Sequence, residues 1–187
     1  MKECKTIDVE KIASYITSKG EYEQVFSSIF KRIGEDVSGR LIAKYPEMHP
    51  MDGRAVIRET LAEAPAFGAD VPVDWVAFSF RGYYFWDLHV GVVFDTGKWP
   101  VTYEVGFHLR DNIYAEMEPK LEQIDWESAV GLVPRYTFTE PVREHKYNDP
   151  PKEFDLSDVE AQVGEIVDRA VRYYKVAAPV FLNSPNA

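Results

Sequence analysis

A single cysteine, Cys4, is all that the 187 residues contain, so no disulfide can close within them and a thiolate-built structural zinc site is excluded. Basic residues are also in short supply: 21 Lys and Arg against 31 Asp and Glu leave a formal net charge of −10. Such a chain repels a phosphate backbone or an anionic membrane surface at long range, which disfavours both as partners. The nearest basic groups are Arg54 and Arg58, then Arg135, Arg143, His145 and Lys146. They are interleaved with acids and read as solvated surface. No run of eighteen apolar residues occurs, which argues against a membrane-spanning helix. The chain does not open on a basic segment followed by an apolar one, so the expected compartment is the cytoplasm.

The common signatures of chemistry are missing too. The glycines are scattered, and none forms a phosphate-cradling loop of the Walker or dinucleotide type, which argues against nucleotide hydrolysis. No serine sits in a glycine-flanked elbow, and no histidine pair is spaced four apart on a helix. Asp95 precedes Glu104 as in a metal-dependent nuclease, but Gly106 stands where that motif needs lysine. No internal repeat or low-complexity segment is present.

What is present is a globular composition, 45% apolar and 14% aromatic. It is enough to fill a core, and residues 1–187 are expected to form one domain with flexible ends at 1–6 and 183–187. The strongest pattern is alternation at period two. From Trp86 the apolar set is Trp86, Leu88, Val90, Val92 and Phe94; after a polar turn at 95–98 it resumes at Trp99, Val101, Tyr103, Val105, Phe107 and Leu109. Pairing Phe94 with Trp99 matches the two apolar faces. That register places His89 opposite Glu104, Asp87 opposite Gly106, and His108 one diagonal step from Asp87.

An earlier strand is expected from Trp75, with Val76, Phe78 and Phe80 inward, and a later one over 135–138. Helices are expected over 9–19, stopped by Gly20, then 22–45, 54–64, and 113–124 capped by Asp111 or Asn112. Residues 141–151 read as a long loop. Ser157 and Glu160 form a capping box that starts a last helix, with Val159, Val163, Ile166, Val167 and Ala170 inward. Residues 176–182 suggest an edge strand interrupted at Pro179. The sum is an α+β fold: a curved antiparallel sheet of about four to six strands packed against several helices. Exposed strand edges make a homodimer reasonable.

The polar sheet face is the candidate site, and it has two readings. In the plainer one it is a noncatalytic surface that binds a small molecule or a protein, helped by the aromatic cluster at 83–86, where Tyr83, Tyr84 and Trp86 offer rigid contact area. In the sharper one it is an enzyme site. His89 and His108 with Glu104 or Asp87 act there as an acid/base pair or as a metal site of the two-histidine, one-carboxylate kind, and Arg110 holds an anion. The residue types assign no particular metal or cofactor.

The residues Trp75, Val76, Ala77, Phe78 and Ser79, then Arg81, Gly82 and Tyr83, then Leu88, His89, Val90 and Gly91 resemble the central strand signature of a family of uncharacterised bacterial cytoplasmic proteins. The resemblance covers about 35 residues of hydrophobic strand pattern. It implies a TATA-binding-protein-like curved antiparallel sheet and a cytoplasmic location, and it assigns no activity and no site residue.

Overall fold

Period-two alternation becomes strand in the central segment, and its apolar phase decides which face the helices cover. The structure is a computed structural model that describes residues 9–42, 73–79, 88–95, 100–140 and 143–182. Its elements run α1 (Val9–Ile42), β1 (Val73–Ser79), β2 (Leu88–Asp95), β3 (Thr102–Arg110), α2 (Asp111–Leu121), α3 (Trp126–Val130), β4 (Arg135–Thr139), β5 (Glu144–Asn148), β6 (Lys152–Glu153) and α4 (Val159–Leu182). The strands form one six-stranded antiparallel sheet in the order β1-β2-β3-β5-β4, with β6 pairing β3 below β5. This is the α+β class that the patterning implies. No described helix is long and apolar enough to cross a membrane.

One sheet face carries Phe78, Leu88, Val90, Val92, Phe94, Tyr103, Val105, Phe107 and Leu109, all buried. Against it lie α1, α2 and α4. Phe26 and Phe30 of α1 pack on Phe94 with centroids 6.0 and 5.0 Å away, and Phe154 joins the cluster. Trp126 stacks on Phe107, and Phe107 on Tyr147. Each such fully buried side chain contributes roughly 1.5–3 kcal/mol relative to exposure. Helices α1 and α4 run parallel, because Arg32 pairs with Glu160 and, eight residues on in both, Arg40 with Asp168. Those pairs are exposed; the stripe Ile29, Ile33, Val37 and Leu41 against Val163, Ile166 and Ala170 carries the packing.

Several expectations are corrected. The β2–β3 register is displaced by four residues: Phe94 pairs with Tyr103, and the last pair is Asp95 with Thr102. Pro100 has no N–H to give the ladder and lies outside it. Because four is even, both faces keep their residues. Gly20 does not stop a helix, since α1 is continuous from Val9 to Ile42; one helical glycine costs only about 1 kcal/mol, which tertiary packing outweighs. The expected loop at 141–151 contains β5, and β6 follows directly after it. The expected edge strand at 176–182 is the end of α4, whose inner residues Ala177 and Ala178 are buried while Pro179 lies on the exposed side.

Caps also differ. Arg110, in extended backbone, is the N-cap of α2, and Asp111 is its first residue. Ser157 does not cap α4. Its N–H and hydroxyl bond the Asp155 carboxylate at 2.8 and 2.7 Å, and the Ala161 N–H reaches Asp158 Oδ1 at 3.4 Å. The expected helix at 54–64 and the aromatic cluster at 83–86 lie outside the described residues.

Candidate metal centre

The face of the sheet opposite the helices carries His89 and Gly91 on β2, Glu104, Gly106, His108 and Arg110 on β3, and Glu144, Lys146 and Asn148 on β5. His89 is the direct partner of His108, and their rings lie 4.9 Å apart at 61°. Both are buried, 4% and 3% exposed. Arg110 is paired with Glu144, and His108 with Lys146. One ligand atom each from His89, His108 and Glu144 lies within 4.8 Å of the other two. His108 Nδ1 lies 3.8 Å from Glu144 Oε1.

Hydrogen bonds fix which nitrogen of His108 is bare. The Asn148 Nδ2 group donates to Glu104 Oε2 at 2.7 Å. That orients the amide so that its oxygen, Oδ1, meets His108 Nε2 at 2.9 Å, and an amide oxygen can only accept. Nε2 therefore carries the proton and Nδ1 its lone pair, directed toward the Glu144 carboxylate. Arg135 completes the relay by donating to Glu104 Oε1 at 3.0 Å. Lys146 Nζ sits 3.0 Å from Glu144 Oε2.

Electrostatics reinforce these states. Burial pushes the His108 imidazole down to about 3, with His89 and Lys146 adding to the effect and Glu144 opposing it. For Glu144, burial alone would raise the carboxyl; the Lys146 ammonium with its hydrogen bond, and the positive charge that His108 and His89 take up in acid, outweigh it and bring it down to about 2. At neutral pH the pair is a neutral imidazole facing a carboxylate.

No family model, characterised protein or solved structure matches this chain. The site must be read on its own chemistry.

Of the residues proposed from the sequence, His89 and His108 come together, more directly than expected. Glu104 lies on the same face but opposite Val93 rather than His89. It reaches His108 only through Asn148. Arg110 neighbours Glu144 across the strands. Asp87, Tyr83, Tyr84 and Trp86 lie outside the described residues. The sequence reading missed Glu144, Lys146 and Asn148 because they fell in the supposed loop. Their signal was present: polar residues at 144, 146 and 148 alternate with His145 and Tyr147, the period of a strand.

Two glycines make room for the arrangement. Gly91 and Gly106 are direct partners. A Cβ on Gly106 would stand 2.2 Å from Asn148 Oδ1 and 2.3 Å from the Tyr147 carbonyl oxygen, so only glycine lets the Asn148 amide fold over this position to His108. A Cβ on Gly91 would touch both imidazoles at 3.4 Å.

Proposed function

We propose that this chain is a metal-binding protein whose polar sheet face holds one divalent first-row transition-metal ion between His89, His108 and Glu144. The observation that carries this reading is the convergence of acceptors. The bare Nδ1 of His108 and the ionised Glu144 Oε1 are both lone-pair donors 3.8 Å apart, with a His89 nitrogen in range. Buried acceptors facing one another are mutually repulsive, and a cation between them turns the repulsion into ligation. Two imidazoles favour zinc, iron, cobalt, nickel or copper over magnesium or calcium, which take oxygen donors. The Asn148 to Glu104 to Arg135 relay is the outer support that ligating histidines commonly have: the far ring N–H is held, which fixes tautomer and orientation.

The metal reading is better supported than metal-free acid/base chemistry. A general base works best with a pKa near the operating pH, and His108 is far below it. Burial of both rings suits retention of an ion more than turnover of a large substrate, in keeping with a binding role on this face.

The test is titration of chelator-treated protein with Co2+ and Zn2+ by calorimetry, with Co2+ absorption reporting nitrogen ligation. One ion per chain is expected, with binding lost in His108→Ala and weakened at least tenfold in Glu144→Gln. Failure of the native protein to bind either ion, or binding indifferent to Glu144→Gln, overturns the assignment.

A further inference from the structure

On the opposite sheet face a second group of polar side chains forms a relay that the metal centre does not use. Tyr136, on edge strand β4, meets His145 Nδ1 through its hydroxyl at 2.9 Å. His145 Nε2 meets Asp111 Oδ1 at 3.1 Å. A carboxylate only accepts, so Nε2 donates to Asp111; in the neutral imidazole Nδ1 is then bare and accepts from the tyrosine hydroxyl. The proton order is carboxylate, imidazole, phenol, the order in which a buried acid orients a histidine to deprotonate a hydroxyl.

The imidazole is firmly placed. It is 6% exposed, stacked on the Tyr114 ring at 3.5 Å and 5°, and flanked by Phe138 at 4.8 Å. Asp111 is placed just as firmly. Arg143 donates to its other oxygen, Oδ2, through Nη2 at 2.6 Å and Nε at 3.2 Å, leaving Oδ1 to His145. Arg143 makes this contact from a left-handed backbone, φ 51°, a conformation that a non-glycine residue adopts only where its surroundings impose it. Its carbonyl also accepts the Asp111 N–H at 3.1 Å. Tyr136 itself is 47% exposed, so the residue that ends this relay is reachable from the edge of the sheet.

We propose that Tyr136 is a nucleophile that accepts an acyl group from an activated carboxylic ester, with His145 as its base and Asp111 as the orienting group. In that step the phenol oxygen bonds to the acyl carbon and the ester C–O bond breaks. The leaving oxygen departs with the bonding electron pair, and the phenolic proton passes to His145 Nδ1. The resulting imidazolium is paired with Asp111 and returns the proton to the leaving group. The product is an O-acyl tyrosine, and no oxidant or metal enters.

The experiment exposes the intact protein to p-nitrophenyl acetate, follows p-nitrophenolate release, and maps the acetyl group by mass spectrometry, with N-acetyltyrosine amide at the same pH as reference. One acetyl per chain on Tyr136 is expected, formed at least tenfold faster than on the reference. Tyr136→Phe, a change on an exposed strand, should remove that phase. Asp111→Asn and His145→Gln should slow it at least tenfold with Tyr136 still in place. Melting curves identify a misfolded variant, and Asp111→Asn decides the matter if His145→Gln does not fold. Acetylation of Tyr136 no faster than the reference, or a rate unchanged in Asp111→Asn, overturns the proposal.

Discussion

His89 and His108 are direct partners across β2 and β3, and this single pairing turns two scattered histidines into a buried imidazole pair. Cross-strand partners on one face bring their side chains within contact of each other. Glu144 then arrives from β5 on the far side of β3, opposite Arg110. Three strands thus each supply one member of the cluster, and side chains on paired strands are held more rigidly than side chains on loops.

The relay behind His108 gives the first prediction. Asn148→Leu removes the acceptor for the Nε2 proton while keeping a side chain of similar size. Metal affinity should fall roughly 10–100-fold, the usual effect of losing an outer-shell partner. Competition against a chromophoric chelator measures it. Glu104→Gln, one step further out, should cost less than Asn148→Leu, and equal affinities in all three proteins would show that the relay does not support a metal ligand.

Acid should destabilise the metal-free protein in a defined window. The His108 pKa is depressed in the folded state from an ordinary 6.5 to about 3, so the unfolded chain binds the proton first and stability falls as pH drops through that range. Glu144 is depressed from 4.5 to about 2, so the stability that its ionised form contributes is intact above about 4.5 and is lost between there and about 2. Both act in the same direction, each with a slope of at most about 1.4 kcal/mol per pH unit. Urea denaturation in the presence of a chelator, from pH 7 to pH 4, should show the midpoint falling already below pH 6.5. His108→Gln should flatten the upper part of that fall; an unchanged slope in that variant would remove His108 as its source.

How far the site could be read from the sequence depended on parity. Apolar residues at alternate positions fixed which residues of β2 and β3 share a face, and that survived the four-residue displacement. Which residue stands opposite which depends on where the ladder ends, here at Asp95 and Thr102 with Pro100, which lacks a donor, beyond it, and no periodicity reports that. Glu144 was hidden for a different reason. Prolines at 141, 150 and 151 bracket a five-residue strand too short for its alternation to outweigh them. The long helices were legible in outline, but Gly20 and Pro179 carried local breaking signals that packing overrode.

A buried clip separate from the His89, His108 and Glu144 cluster ties α4 to the end of β5. Arg169 donates to both oxygens of Asp149 at 2.6 Å, and its Nη1 donates to the Val130 carbonyl at 3.0 Å. The Tyr173 hydroxyl donates to Asp149 Oδ1 at 2.6 Å. Removing the guanidinium in Arg169→Met strands a buried carboxylate and should cost roughly 3–5 kcal/mol. Tyr173→Phe removes one hydrogen bond to a charged group and should cost roughly 1.5–3 kcal/mol. Chemical denaturation ranks the two, and a milder effect for Arg169→Met than for Tyr173→Phe would contradict the role given to the ion pair.

The paired glycines separate folding from binding. In Gly106→Ala the new methyl meets the Asn148 side chain and the Tyr147 backbone oxygen well inside contact distance, and backbone cannot retreat without opening the β3–β5 ladder. The expected cost is at least the roughly 1–3 kcal/mol of an overpacked core site, together with loss of the Asn148 bond to His108. In Gly91→Ala the methyl makes ordinary contacts of 3.4 Å with His108 Cε1 and His89 Cδ2, and stands 3.7 Å from His108 Nδ1. That variant should fold with nearly unchanged stability but bind metal at least tenfold more weakly, because the methyl lies beside the nitrogen that ligates. Denaturation midpoints and metal titrations on both variants give four numbers. Gly91→Ala binding like the native protein would mean that the ion does not sit against the Nδ1 side of His108. A stable Gly106→Ala with native metal affinity would mean that the Asn148 amide does not need the space above that glycine.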